Sequence, residues 1–142
     1  MRKKLFALLM MLTLALTACG GDDYTTVFTE VNNVEGVSMS LVDGTLKVSR
    51  ATFLITNDSD EDVFLDPVEF HLEEKNREGV WIENIGTRVS EWKRETTEVI
   101  PAGTSIEREV DWKGLCGGIT AGAEHRVILI VNGEPIACEF SK

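Results

Sequence analysis

ATFLITNDSDEDVFLDPVEFHLEEKNREGVWIE, residues 51–83, is the stretch of sequence that decides the fold. Phe53 and Ile55 alternate with polar neighbours, and the alternation returns at Phe70 and Leu72. A period of two is typical of strands that bury one face and expose the other. The stretch therefore predicts three strands, joined first by an acidic turn and then by a short polar turn.

Strand patterns of the same kind continue through the rest of the chain. Asp43-Gly44 and Asn132-Gly133 are dipeptides that favour tight hairpin turns. Pro67 cannot donate to a strand ladder and so indicates an edge or a bulge. Residues 126–131 form an apolar run that suits a central strand. Seven to nine short antiparallel strands, with no long helix after residue 18, predict an all-β sandwich.

Three weaker patterns leave parts of the chain less defined. Residues 27–31 indicate a first strand, and Leu46 and Val48 indicate a return strand after the first hairpin turn. The alternation slips between residues 49 and 53, which predicts a bulge because a one-residue slip turns the core face outward. Residues 86–94 are polar and irregular and are interpreted as a loop.

The N-terminus has the proportions of a secretory signal. Three basic residues precede an apolar run, residues 5–16, that is too short to span a membrane stably. The Leu16-Thr17-Ala18-Cys19 ending resembles the lipobox of bacterial lipoproteins. The resemblance implies that Cys19 is acylated, that residues 1–18 are removed, and that two or three acyl chains anchor the protein to a cell or outer membrane. An ordinary cleaved signal peptide is the alternative.

The mature chain is strongly acidic. Residues 1–18 hold three of the 14 basic residues and none of the 24 acidic ones, so their removal leaves a net charge of −13. Such a surface repels nucleic acid and anionic lipid, which argues against nucleic-acid or peripheral-membrane binding and predicts a domain that stands off the bilayer.

The sequence predicts one folded domain. Residues 1–18 are the signal peptide. Residues 19–34 hold the lipidated cysteine, a short polar tether and the possible first strand. Residues 35–142 form the sandwich, because the mature length of 124 residues allows one real core but not two.

Two cysteines remain once Cys19 carries lipid. Cys116 and Cys138 are an even pair in an exported chain, which favours a disulfide bond. In the chain-entropy model such a bridge adds roughly 3 kcal/mol of stability. Two unpaired, buried cysteines that act as small hydrophobic residues are the alternative.

Several motifs, taken in order, point to a family. They are Asn57-Asp58-Ser59-Asp60-Glu61, Glu69-Phe70-His71-Leu72-Glu73-Glu74-Lys75, Gly79-Val80-Trp81, Ile100-Pro101-Ala102-Gly103, Val110-Asp111-Trp112 and Arg126-Val127. Together they resemble the bacterial immunoglobulin-like domains of small lipoproteins, over roughly residues 51–131. The resemblance implies an immunoglobulin-like sandwich and transfers no catalytic residue. Cys116 replaces the family's tyrosine and Cys138 lies in an added C-terminal strand, a joint change that fits a bridge between them.

Asp58, Asp60 and Asp62 are a weak calcium candidate. They alternate like the first ligands of a calcium loop, but the sixth position, where the sharp turn needs glycine, is Val63. An acidic turn that solvates a hairpin is the favoured interpretation. We expect no metal and no cofactor.

The remaining reactive side chains do not predict an enzyme. Cys116 with His125 as its base is a possible nucleophile pair, but no signature of a known cysteine enzyme surrounds it. His71 and His125 are isolated and are predicted to face solvent on their strands, so neither predicts a zinc site.

The three tryptophans divide into two groups. Trp81 and Trp112 lie on predicted strands and are expected in the core. The third lies in the polar 86–94 loop with no apolar period to bury it, so it is a plausible contact residue, although half burial against the sandwich is the alternative. The candidate contact residues are Trp92, Lys93 and Arg94.

These features favour a non-enzymatic binding module at the bacterial envelope. It would contact the bilayer through Cys19 and an envelope protein or glycan through its loops or an edge strand. An exported protease inhibitor that acts through the projecting 86–94 loop is the alternative. A hydrolase ranks third, because no triad, metal set or carboxylate pair is evident.

Overall fold

The computed structural model describes residues 24–87, 97–116 and 118–142, which form an all-β sandwich of eight antiparallel strands. The strands are β1 (Val37–Leu41), β2 (Arg50–Asn57), β3 (Val63–Lys75), β4 (Trp81–Thr87), β5 (Glu98–Ile100), β6 (Thr104–Asp111), β7 (Glu124–Val131) and β8 (Glu134–Ser141). The described ranges contain one short helical segment, α1 (Lys113–Cys116), and no helix in them is long and apolar enough to cross a membrane. The predicted all-β sandwich is confirmed.

Two sheets face each other. One has the strand order β1-β2-β6, and the other has the order β4-β3-β7-β8, with β5 paired to the first residues of β3. The β7–β8 hairpin turns at Asn132 and Gly133, whose φ angles are 51° and 77°. Positive φ at both central residues matches the twist of the flanking strands, as the Asn-Gly dipeptide predicts.

The core lies between the inner faces of the two sheets. On β2, Ala51, Phe53 and Ile55 are buried at alternate positions, and Leu72 on β3 lies opposite Val127 on β7. This alternation is the period-two pattern of the sequence, and each buried aliphatic or aromatic side chain stabilises the fold by about 1.5–3 kcal/mol.

Trp112 belongs to this core, as predicted. It is fully buried, stacks on Phe140 with 6.4 Å between ring centroids, and donates its indole N–H to the Val48 carbonyl at 2.9 Å. The buried ring therefore has a partner for its polar group.

Three local predictions fail and one is confirmed. Residues 27–31 form no strand, and Leu46 and Val48 lie in an irregular connection. The β2–β6 register is continuous from Arg50, so the predicted bulge at residues 49–53 is absent from that ladder. The apparent slip arises because the strand starts only at Arg50. The irregularity predicted at Pro67 is present, because the β3–β7 register shifts between Leu65 and Phe70.

Candidate functional site

Residues 24–34 cross the outer face of the five-stranded sheet, and we call them the crossing segment. At the β4 edge, the Glu83 N–H donates to the Tyr24 carbonyl at 2.6 Å. At the β8 edge, the Ala137 N–H donates to Asn32 Oδ1 at 2.8 Å. The segment thus caps part of both edges of this sheet, where unpaired backbone groups would otherwise be open to other strands.

The crossing segment helps to bury three ionisable side chains on the outer face of the sheet. His71, Glu73 and Arg126 have relative exposures of 0%, 1% and 4%. The prediction that His71 faces solvent is wrong, because Phe28 covers the ring at 4.7 Å between centroids. His71 is indeed on the outer face of β3, but that face is covered.

Arg126 fastens the crossing segment to the sheet. Its Nε donates to Glu73 Oε2 at 2.6 Å, and its terminal nitrogen donates to Thr26 Oγ1 at 3.2 Å and to the Phe28 carbonyl at 3.1 Å. Glu73 Oε1 is buried without a hydrogen-bond partner among the described residues. A buried pair of this kind costs desolvation to form, and removal of one partner leaves an uncompensated charge.

The ring of Trp81 packs against the Arg126 guanidinium. It lies opposite Lys75 in the β3–β4 register, with the Lys75 ammonium 5.0 Å and the Arg126 guanidinium 4.6 Å from its ring centroid. Both distances suit cation–π attraction. The prediction that Trp81 lies in the core is wrong, because its strand position faces outward and the ring is only half-buried.

His71 is held between two carboxylates. Nδ1 lies 2.9 Å from Glu83 Oε1, and Nε2 lies 3.1 Å from Glu69 Oε1. A neutral imidazole has one N–H, so both contacts are hydrogen bonds to ionised carboxylates only when both ring nitrogens carry protons. A Cβ at Gly86 would collide with the Glu83 carboxylate, so glycine makes room for this arrangement.

His125 is buried on the inner face, so the prediction that it faces solvent is also wrong. The ring stacks on Phe140 at 5.9 Å, Nδ1 lies 3.1 Å from the Ala123 carbonyl, and Nε2 lies 3.2 Å from Glu74 Oε2. Both ring nitrogens therefore have partners within the fold. The side chain of Cys116, which the sequence pairs with His125 as a possible nucleophile, lies outside the described residues.

Of the two cysteines predicted to form a disulfide, Cys138 is the one whose side chain the structure describes. Cys138 is buried, and burial raises the pKa of its thiol. Because the side chain of Cys116 lies outside the described residues, the disulfide stays a prediction. Cys19 and the candidate contact residues Trp92, Lys93 and Arg94 also lie outside the described residues.

The acidic turn is organised by a buried amide. Asn57, which is fully buried, donates from Nδ2 to the Glu61 carbonyl at 2.8 Å and to the Ile100 carbonyl at 3.0 Å. Its Oδ1 accepts the Ser59 hydroxyl at 2.6 Å. In the described ranges no group of three or more His, Cys, Asp or Glu side chains is placed to hold a metal ion. The calcium candidates Asp58, Asp60 and Asp62 therefore do not form such a group.

Sequence reasoning missed Asn57 and the Glu73–Arg126 pair, although signals for both were present. Asn57 continues the inward alternation of Phe53 and Ile55, and an amide at an inward position needs buried partners. Arg126 begins an apolar run that is buried on both faces, so it also requires a partner inside.

A groove of about 290 Å³ opens between the bulge of β3 and strand β6. Val68 and Leu115 are exposed at its rim, and Arg108 crosses it by donating to the Pro67 carbonyl at 3.4 Å. It is lined by Asp66, Pro67, Val68, Glu69, Phe70, Arg108, Glu109, Val110, Asp111, Leu115 and Leu129. The groove is therefore an apolar slot with an acidic rim.

No protein-family model and no curated protein matches the sequence. One similar solved structure is Pseudomonas fluorescens alkylpurine DNA glycosylase AlkC bound to DNA containing an abasic site analog. Its TM-score is 0.39 at 16% identity, over 89% of this chain and 32% of that chain. Another is the X-ray structure of Northeast Structural Genomics Consortium target SoR45, with TM-score 0.36 at 14% identity, over 74% of this chain and 79% of that chain. The chain thus spans about a third of the glycosylase's length, and likenesses this weak identify no activity.

Proposed function

We propose that the protein is a membrane-anchored bacterial lipoprotein whose immunoglobulin-like sandwich binds an envelope partner without catalysing a reaction. The observation that carries the proposal is the Leu16-Thr17-Ala18-Cys19 ending of the apolar N-terminal stretch. Tyr24, five residues after Cys19, is hydrogen-bonded to β4, so the folded domain would lie close to an anchor at that cysteine. Acyl chains on Cys19 would hold the sandwich close to the bilayer with its remaining surface open to the envelope.

The surroundings of the histidines support a non-catalytic role. His71 and His125 are both fully buried, and each ring is hydrogen-bonded to carboxylate or carbonyl oxygens of the fold. A general base must reach the proton that it abstracts, and these rings reach groups of their own domain instead.

The groove between β3 and β6 supports binding of a protein segment. Val68 and Leu115 offer exposed apolar contacts, while Glu109 and Asp111 outnumber Arg108 at the rim. Apolar anchors within a polar rim are the usual anatomy of a recognition surface. The matching occupant is an extended segment whose apolar side chains are flanked by basic ones.

The anchor is tested by mass spectrometry of the protein from the membrane fraction. The N-terminal peptide is expected to begin at Cys19 and to carry the mass of a diacylglycerol, with or without an amide-linked acyl chain. A Cys19→Ser variant should lose the modification and leave the mature membrane pool. An unmodified Cys19 in an exported soluble protein would overturn the lipoprotein assignment.

The binding surface is tested by photo-crosslinking in living cells. A photoreactive residue at Val68, which is 46% exposed at the groove, is compared with one at Val99, which is 44% exposed on β5. We expect one protein adduct at near-equal amount from Val68 only, attached through an apolar and basic segment and lost in a folded Leu115→Asp variant. The same adducts from both positions, or none from either, would contradict binding in the groove.

A further inference from the structure

The connections between strands gather at the two ends of the sandwich, and the two ends differ in charge. Because the strands are antiparallel, alternate connections lie at opposite ends. We call these ends the acidic pole and the basic pole. The acidic pole consists of residues 33–36, 58–62, 101–103 and 132–133, and the basic pole consists of residues 42–50, 75–80, 111–116, 118–124 and Lys142.

The acidic pole carries charge of one sign. Glu35, Asp58, Asp60, Glu61 and Asp62 line one open hollow at this end. The described connections of this pole contain no lysine or arginine. An anionic surface would therefore repel this end of the domain.

The basic pole collects most of the positive charge. It holds six of the eight lysine and arginine residues in the described ranges, against four acidic residues. The six are Lys47, Arg50, Lys75, Arg77, Lys113 and Lys142. The net charge of −13 expected for the mature chain is thus far from evenly spread.

Two of the three connections at the basic pole also present an apolar side chain to solvent outside the groove. Val48 follows Lys47, and Val80 lies three residues after Arg77. Their relative exposures are 51% and 40%. Basic residues next to exposed apolar ones suit the headgroup region of a bilayer, where the cation meets phosphate and the apolar group leaves water.

Tyr24 lies beside β4, toward the end of that strand that meets the basic pole. Tyr24 is 67% exposed and accepts the Glu83 N–H near the start of β4. Cys19 precedes Tyr24 by five residues, and five extended residues reach at most about 18 Å. Tyr24 is hydrogen-bonded to Glu83, about three residues or about 10 Å inside the pole, and the chain runs from there toward the pole, where the Thr26 N–H donates to the Trp81 carbonyl. An anchor at Cys19 would therefore keep the basic pole within about 28 Å of the membrane.

We infer that the basic pole rests on an anionic phospholipid bilayer that holds the acylated Cys19, with the acidic pole directed away from it. The inference rests on the lipid anchor proposed above. Asp22 and Asp23 offset part of the positive charge, so the acyl chains supply the attachment and the distribution of charge sets the orientation. The sequence predicts a domain that stands off the bilayer because it treats the net charge as evenly spread. In the fold, acidic and basic residues instead lie at opposite ends of the sandwich.

Hydrogen exchange measured by mass spectrometry tests the orientation. The full lipoprotein, with acylation of Cys19 verified by its mass, is placed in nanodiscs of phosphatidylcholine alone or mixed with phosphatidylglycerol. We expect peptides from residues 42–49, 76–80 and 112–116 to exchange about fivefold more slowly in the anionic discs, and this protection to fall in high salt. Residues 33–36 and 58–62 should exchange equally in both.

Two triple variants of matched size separate orientation from net charge. Lys47→Gln, Arg77→Gln and Lys113→Gln together should reduce protection to the level seen on neutral discs. Glu35→Gln, Asp60→Asn and Glu61→Gln together change the net charge by the same magnitude in the opposite direction, at the acidic pole, and should leave the pattern unchanged.

Three results are contrary to these proposals, and they can be told apart. Acylated protein with equal exchange at both poles on both kinds of disc overturns the orientation alone. Stronger protection in the acidic-pole variant shows that net charge governs the contact and also overturns the orientation. An unmodified Cys19 overturns the proposed anchor and, with it, the attachment on which the orientation depends.

Discussion

Replacement of Arg126 by methionine tests how the crossing segment is held to the sheet. The change removes the only charged partner in the described structure that hydrogen-bonds the Glu73 carboxylate, which is 1% exposed. Loss of one member of a buried pair costs about 3–5 kcal/mol, and each hydrogen bond to Thr26 and Phe28 contributes about 1 kcal/mol. Since these terms overlap, we expect the free energy of unfolding in urea to fall by about 4 kcal/mol.

A double variant separates the charge from the hydrogen bonds. Glu73→Leu with Arg126→Met leaves no buried charge and loses only the contacts to the crossing segment, so the expected loss is about 1–2 kcal/mol. Thr26→Val removes the Arg126 contact and the hydrogen bond that Thr26 Oγ1 accepts from the Phe28 N–H, so it should cost about 1–2 kcal/mol. If the double variant is as unstable as Arg126→Met alone, the energetic reasoning about the buried pair is wrong.

Three further changes probe other parts of the structure. Asn57→Ala leaves the Ile100 carbonyl and other groups of the acidic turn without partners, so urea unfolding should show a loss of about 2–4 kcal/mol, whereas a loss under about 1 kcal/mol would refute this role. Gly36→Ala places a Cβ 2.9 Å from Ser59 at a φ of 71° and should cost about 2 kcal/mol or more in thermal melts, while an unchanged melting temperature would show that the turn relaxes. Under reducing conditions, the raised pKa of Cys138 means that the folded thiol keeps a proton that the unfolded thiol loses, so the free energy of unfolding should decline as pH rises above about 8.5. Cys138→Ala should lack that part of the decline, and an identical pH profile would contradict it.

The inner faces of the sandwich could be predicted from local pattern alone. Phe53, Ile55 and Leu72 alternate with polar residues, and that alternation requires only that one face of each strand meet another sheet. The hairpin at Asn132 and Gly133 could be predicted for an equally local reason, because its backbone needs positive φ at two successive residues.

The outer face of β3 could not be predicted in the same way. Glu69, His71 and Glu73 alternate with apolar residues and are typical of a wet face. What covers His71 is the ring of Phe28, more than forty residues earlier in the chain and in a stretch without a clear strand pattern. Burial by a distant irregular segment leaves no periodic signal, so local alternation predicted solvent where the fold places a cover.

The crossing segment also links the stability of the domain to its proposed orientation on the membrane. While residues 24–34 stay bound to the sheet, the linker from Cys19 to the sandwich is five residues long and reaches at most about 18 Å. If the segment detached as far as Val34, the extended linker would reach about 50 Å. The domain could then rotate freely relative to the membrane.

On acylated protein in anionic nanodiscs, we therefore expect Arg126→Met to lose most of the difference in hydrogen exchange between the two poles. Asn57→Ala serves as the control, because it removes a comparable amount of stability at the acidic turn without a contact to the crossing segment. That variant should keep the difference between the poles. Loss of the difference in both variants would mean that reduced stability, and not release of the segment, disturbs the orientation. Retention in both would mean that charge alone orients the domain, because the docked segment would then contribute nothing.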